Sequence, residues 1–106
     1  MTEKTEQLPQ SGCCCRHKHR DAPEYEALLK RLRRIEGQVR GIQGMVEKEA
    51  YCTDILTQVS AVQSALRAFS KELLANHIRT CVADGVRQGD EDIVDELVRT
   101  MEKMMK

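Results

Sequence analysis

His77 and Cys81 stand four residues apart in a stretch, 53–84, that contains neither Gly nor Pro. On an α-helix that spacing sets both on one face, one turn apart, where an imidazole and a thiolate can grip one metal ion. Cys52 sits at the N-terminal end of the same stretch. Taken singly, a helical Cys reads as a small apolar residue and a lone His as a satisfied polar group. The i, i+4 pairing lifts these two above that reading.

Cys52 cannot join them within one chain. The rise of a continuous helix separates it from His77 by about 37 Å, whereas metal–ligand bonds are about 2.0–2.3 Å. Two copies of the helix packed head to tail remove the difficulty. Cys52 of one copy then meets His77 and Cys81 of the other, and a two-fold axis makes two equivalent sites. Two thiolates and one imidazole form a soft donor set. Three-coordination suits Cu(I), a fourth ligand would suit Zn(II), and a tetragonal set Ni(II).

The elements that carry these residues are helical. The 106-residue chain is one small domain, 41% hydrophobic and 32% charged, with Tyr25, Tyr51 and Phe69 its only aromatics. A core of Leu, Ile, Val, Ala and Met suits helices packed on helices, and a chain this short gains stability by oligomerising. Pro23 is the last proline, so an all-α, three-helix protomer over 23–106 is expected.

The first helix starts at Pro23 or Glu24, and Leu28, Leu32, Ile35, Val39, Ile42 and Val46 form its apolar stripe. Gly37, Gly41 and Gly44 lie on a second line, read chiefly as a site of close helix packing and otherwise as a device that keeps the helix slightly loose. After a break at 48–52, Thr53 or Asp54 caps a second helix with the stripe Ile55, Val59, Val62, Leu66, Phe69, Leu73 and Ile78. Gly85 and Gly89 end it, and Asp90 caps a short third helix.

Residues 1–22 are polar and aperiodic and read as a disordered tail. They hold Cys13, Cys14, Cys15, His17 and His19. This cluster is either an accessory soft-metal site or a tail whose thiols take up metal adventitiously. No run of 18 apolar residues and no signal-peptide pattern occurs, so a cytoplasmic protein without a membrane segment is expected. Five cysteines in a reducing compartment point to metal ligation or redox sensing rather than disulfides. No base neighbours Cys52 in sequence and no Gly-rich or acid–base motif occurs, so an enzyme is not expected.

Lys+Arg and Asp+Glu both number 17, which gives a net charge of zero. This argues against a uniformly basic nucleic-acid binder but does not exclude a local basic face. Lys30, Arg31, Arg33, Arg34 and Arg40 cluster on the first helix, and Arg67 lies on the second. From composition alone this is a solvated face laced with Glu–Arg pairs.

Three ordered motifs resemble the copper-sensing operon repressor (CsoR/RcnR) family. They are RLRRIEGQVRGIQ from Arg31 to Gln43, YCTDILTQVSAVQ from Tyr51 to Gln63, and His77 to Cys81 followed by Val82. The resemblance covers about residues 24–104. It implies a protomer that pairs into an antiparallel four-helix-bundle dimer and then a dimer of dimers. It also implies a repressor that binds operator DNA in the apo form, without a helix-turn-helix, and leaves it on binding an inducer.

In the copper-sensing members the positions matching Cys52, His77 and Cys81 ligate Cu(I) across the dimer, with a tyrosine and a glutamate hydrogen-bonding around them. Tyr51 matches directly, and Glu96 after a one-residue gap near Gly89. With the resemblance, the basic residues become a DNA-contacting face. Persulfide sensors of the family lack the His, and nickel, cobalt and formaldehyde sensors replace the last Cys with His, so His77 and Cys81 favour Cu(I). Nickel or persulfide induction stays as the alternative within the family, since some nickel sensors recruit an N-terminal His. A cytosolic copper buffer is the alternative outside it. The N-terminal Cys/His cluster departs from the family pattern.

Overall fold

A computed structural model describes residues 13–14, 17–18 and 20–106. Residues 1–12, 15–16 and 19, most of the segment read as a tail, lie outside the described residues, and Cys15 and His19 with them. Strand β1 (Cys13–Cys14) pairs antiparallel with β2 (His17–Lys18), in the register Cys13↔Lys18 and Cys14↔His17. Everything from Ala22 onward is built from helices and their turns, as the patterning requires. They are α1 (Ala22–Glu47), α2 (Cys52–His77), a π turn (Ile78–Val82), α3 (Ala83–Arg87) and α4 (Asp92–Met104).

The chain divides into two compact units. In the first, Asp21–Leu73, Asp21 caps α1 by accepting a hydrogen bond from the Glu24 amide at 3.1 Å, and Pro23 sits in the first turn. Proline has no amide to lose there. Of the α1 stripe, only Leu28 and Ile35 are buried, and Val62 is the buried residue of α2. Leu32, Val39, Val46, Leu56 and Leu66 stay exposed in the single chain. A Cβ on Gly37, Gly41 or Gly44 would meet nothing within 4 Å. Close packing inside one protomer therefore does not explain these glycines.

The α1–α2 connection is a Schellman turn. The Glu49 amide donates to Val46 O at 3.0 Å and the Ala50 amide to Met45 O at 2.9 Å. The motif needs a left-handed residue, and here it is Glu49, at φ 57°. Helix α2 begins at Cys52, with the Tyr51 carbonyl accepting from Asp54 and Ile55. Thr53 and Asp54 thus lie in the first turn rather than capping it.

The second unit is built on Leu74–Lys106. The helical run does not end at Gly85, which lies inside α3 and is buried. It ends at Gly89, whose φ of +83° supplies the left-handed position of a second Schellman turn, with Asp90 N donating to Gly85 O at 2.8 Å. Asp90 accepts from the Asp92 amide at 3.0 Å just ahead of α4. Cys81 and Val82 are the buried apolar residues here, and both α3 and α4 pack against the π turn.

Candidate metal centre

His77 is the last residue of α2 and Cys81 lies in the π turn that follows without a break. In that turn the Ala83 amide reaches back five residues to the Ile78 carbonyl. Such widened turns inside helices often mark functional positions. The widened turn begins just after His77 and contains Cys81. His77 is half-buried and Cys81 only 2% exposed. The Thr80 hydroxyl donates to the Asn76 carbonyl at 2.8 Å and lies 3.7 Å from Cys81 Sγ. Nothing in the sequence pattern singled out Thr80.

Glu96 is half-buried on α4, the helix that packs on the π turn. His77, Cys81 and Glu96 therefore share one compact unit. Tyr51 and Cys52 belong to the Asp21–Leu73 unit, Tyr51 at 72% exposure immediately before α2 and Cys52 exposed as its first residue. Among the described residues, no three His, Cys, Asp or Glu side chains of the single chain gather at one point. The donors fit a soft cation: a buried sulfur and an imidazole on adjoining turns, with a second, solvent-facing sulfur at the far terminus of the same helix.

Lys30, Arg31, Arg33, Arg34, Arg40 and Arg67 all belong to the Asp21–Leu73 unit, and all six are exposed. At the helical step of about 100° per residue, Lys30, Arg33, Arg34 and Arg40 fall within an arc of about 120° opposite Leu28 and Ile35. Arg31 lies about 60° outside that arc, on the flank toward Ile35, and Glu26 shares the arc's N-terminal end. Arg40 pairs with Glu36 at 3.3 Å, with both side chains well exposed. An exposed pair of this kind contributes little and is easily exchanged for a phosphate. Arg67 reaches Ser64 Oγ at 3.4 Å.

Residues 24–103 match the family of metal-sensitive transcriptional repressors. The chain belongs to that family. Within it, the chain is 47% identical over 89 residues to the copper-sensing transcriptional repressor CsoR of Bacillus subtilis (strain 168), covering 83% of this chain and 88% of that protein. The fold matches the Cu(I)-bound copper-sensing repressor CsoR of Geobacillus thermodenitrificans NG80-2 with a TM-score of 0.79 and 46% identity, over 83% of this chain and 93% of the other. The nickel-responsive transcriptional regulator InrS is more distant, at a TM-score of 0.66 and 31% identity over 82% of this chain and 96% of its own. These likenesses agree with the resemblance read from the three motifs and with the all-α reading.

Proposed function

We propose that this chain is a Cu(I)-responsive transcriptional repressor. It binds operator DNA in the apo form and is released when Cu(I) binds, which derepresses copper-resistance genes. The observation that carries this reading is the donor set itself. Cys52, His77 and Cys81 all stand in a chain that is 46% identical to a repressor solved with Cu(I). The more distant nickel-responsive relative gives nickel the weaker support.

Cys52 of one protomer and His77 and Cys81 of the partner subunit form the site, two per dimer. The apolar residues left exposed on α1 and α2, Leu32, Val39, Val46 and Leu66 among them, supply the surface for that dimer and for its pairing into a tetramer. When bound, Cu(I) ties the two protomers together through soft ligands. Tyr51 of the protomer that supplies Cys52, and Glu96 of the protomer that supplies His77, hold that imidazole in the ligating orientation by hydrogen bonding, as partners of metal-ligating histidines do. Lys30, Arg31, Arg33, Arg34, Arg40 and Arg67, repeated in each protomer, neutralise phosphates. Because the two equilibria are linked, DNA weakens Cu(I) binding by the same factor by which Cu(I) weakens DNA binding.

Among the described residues no helix is long and apolar enough to cross a membrane, and a repressor works where the DNA is, in the cytoplasm. The Cys13, Cys14 and His17 positions on the β1–β2 ladder, with Cys15 and His19, serve at most as an accessory metal site.

The test is anaerobic fluorescence anisotropy on duplex DNA from upstream of the chain's own gene, with Cu(I), Ni(II), Zn(II) and persulfide titrated in parallel. Release by Cu(I) near one equivalent per protomer is expected. Release by Ni(II) or persulfide alone would move the chain to another branch of the family, and Cu(I) binding without DNA binding would make it a copper buffer.

A further inference from the structure

Of the two ligands proposed for one protomer, His77 ends α2 and Cys81 lies in the π turn that follows, and a single hydroxyl reaches across the junction. Thr80 Oγ1 lies 2.8 Å from the Asn76 carbonyl and 3.7 Å from Cys81 Sγ. A hydroxyl has one proton to donate, so it cannot fully serve both the backbone of the residue before His77 and the sulfur of Cys81. While Cys81 is a thiol, the sulfur is a poor acceptor and carries its own proton. The hydroxyl then donates to Asn76, a Thr-to-backbone bond of the kind that bends helices. Asn76 also buries its Oδ1 without a hydrogen-bond partner among the described residues, so this junction is held at a polar cost.

We propose that Thr80 is a positioning residue that switches its hydrogen bond from the Asn76 carbonyl to Cys81 Sγ when that sulfur becomes a metal ligand. The proposal rests on the reading of Cys81 as a ligand. On ligation the thiol proton leaves to solvent and the sulfur becomes an acceptor only. The Thr80 proton turns to it, and bonds to charged acceptors are the stronger ones. The Asn76 carbonyl is released, and the backbone at the junction of α2 and the π turn relaxes next to His77. Ligation at one side chain thereby changes the end of the helix whose other end carries Cys52. Asn76 closes the last turn of α2, and Thr80 and Cys81 lie in the π turn that follows it, so one hydroxyl reaches both the helix end and the sulfur.

The experiment compares full-length wild type, Thr80→Val and Thr80→Ser. Valine keeps the branched shape without the hydroxyl, and serine keeps the hydroxyl. Cu(I) stoichiometry is measured by chelator competition, DNA affinity is measured with and without Cu(I), and the carbonyl 13C resonance of Asn76 is followed by NMR. In wild type and Thr80→Ser, Cu(I) is expected to move the Asn76 resonance. In Thr80→Val the resonance starts at its shifted position and stays there. That variant binds one Cu(I) per protomer, yet the factor by which Cu(I) weakens its DNA binding falls about fivefold, the worth of one hydrogen bond.

An Asn76 resonance that moves equally in Thr80→Val would overturn the switch, and so would an unchanged coupling factor where Cu(I) does release wild type from DNA. Loss of Cu(I) binding in Thr80→Val would also overturn it, by making Thr80 a structural part of the turn. If Cu(I) moves Asn76 in wild type but not in Thr80→Val, and no variant leaves DNA, the switch stands and the repressor reading fails.

Discussion

Gly85 in α3 and Ile93 in α4 pack so closely that a Cβ on Gly85 would lie 2.8 Å from Ile93 Cγ2 and 3.0 Å from its Cδ1. This contact seats α4, and with it Glu96, against the segment that follows Cys81. A methyl group at Gly85 must displace a branched side chain, an overpacking cost of about 1–3 kcal/mol, against a gain in helix propensity of about 1 kcal/mol. Gly85→Ala is therefore expected to lower stability by about 1 kcal/mol net. Gly37→Ala, in open space, is expected to raise it by about 1 kcal/mol. Denaturant unfolding at one protein concentration checks both.

Glu49 pays for its place in the first Schellman turn with a left-handed φ of 57°. For a residue with a Cβ that conformation costs about 1–2 kcal/mol. Glu49→Gly is expected to recover about 1 kcal/mol after the entropy cost of glycine is subtracted. The thermal midpoint should rise with no change in Cu(I) stoichiometry.

On the exposed face of α1, Arg33→Ala and Arg34→Ala are expected to leave stability within about 0.5 kcal/mol, as surface substitutions do. Each should weaken DNA binding and reduce the slope of log K against log salt by about 1. Unaltered slopes in both would remove this arc from the DNA interface.

For His77→Ala, two sulfurs remain, so Cu(I) still binds while DNA release is lost. Anisotropy with and without Cu(I) checks this, and normal release in the variant would deny His77 its coupling role.

Much of this architecture was legible in the sequence. The absence of proline after Pro23, the two apolar stripes, the break before Cys52 and the stop at Gly89 all depend on local chemistry that a sequence displays directly. The placement of His77 and Cys81 on adjoining turns was legible for the same reason. The π turn was not. A widened turn keeps residues four apart near one another, so an i, i+4 pattern reads the same with or without it. The packing of α3 and α4 on that turn belongs to tertiary structure. The two contacts of Thr80 are local, to the residue four before it and the residue after it, but no charge or apolar period marks such a hydroxyl in a sequence. The stripe on α1 overstated burial for a different reason: Leu32 and Val39 carry the correct period but stay exposed in one chain. Periodicity marks an apolar face without saying whether the same chain covers it.

The most direct test of the central claim is complementation across the dimer. One variant carries Cys52→Ser, and the other carries His77→Ala together with Cys81→Ser. Neither can complete a site in its homodimer, but a mixed dimer joins Cys52 of the second to His77 and Cys81 of the first. After the two are unfolded and refolded together, Cu(I) binding and Cu(I)-dependent release from DNA are measured anaerobically. The expected result is no release for either variant alone and partial recovery for the mixture, with one site per mixed dimer. A mixture as silent as its components, or full release by the Cys52→Ser variant alone, would contradict a site shared between protomers.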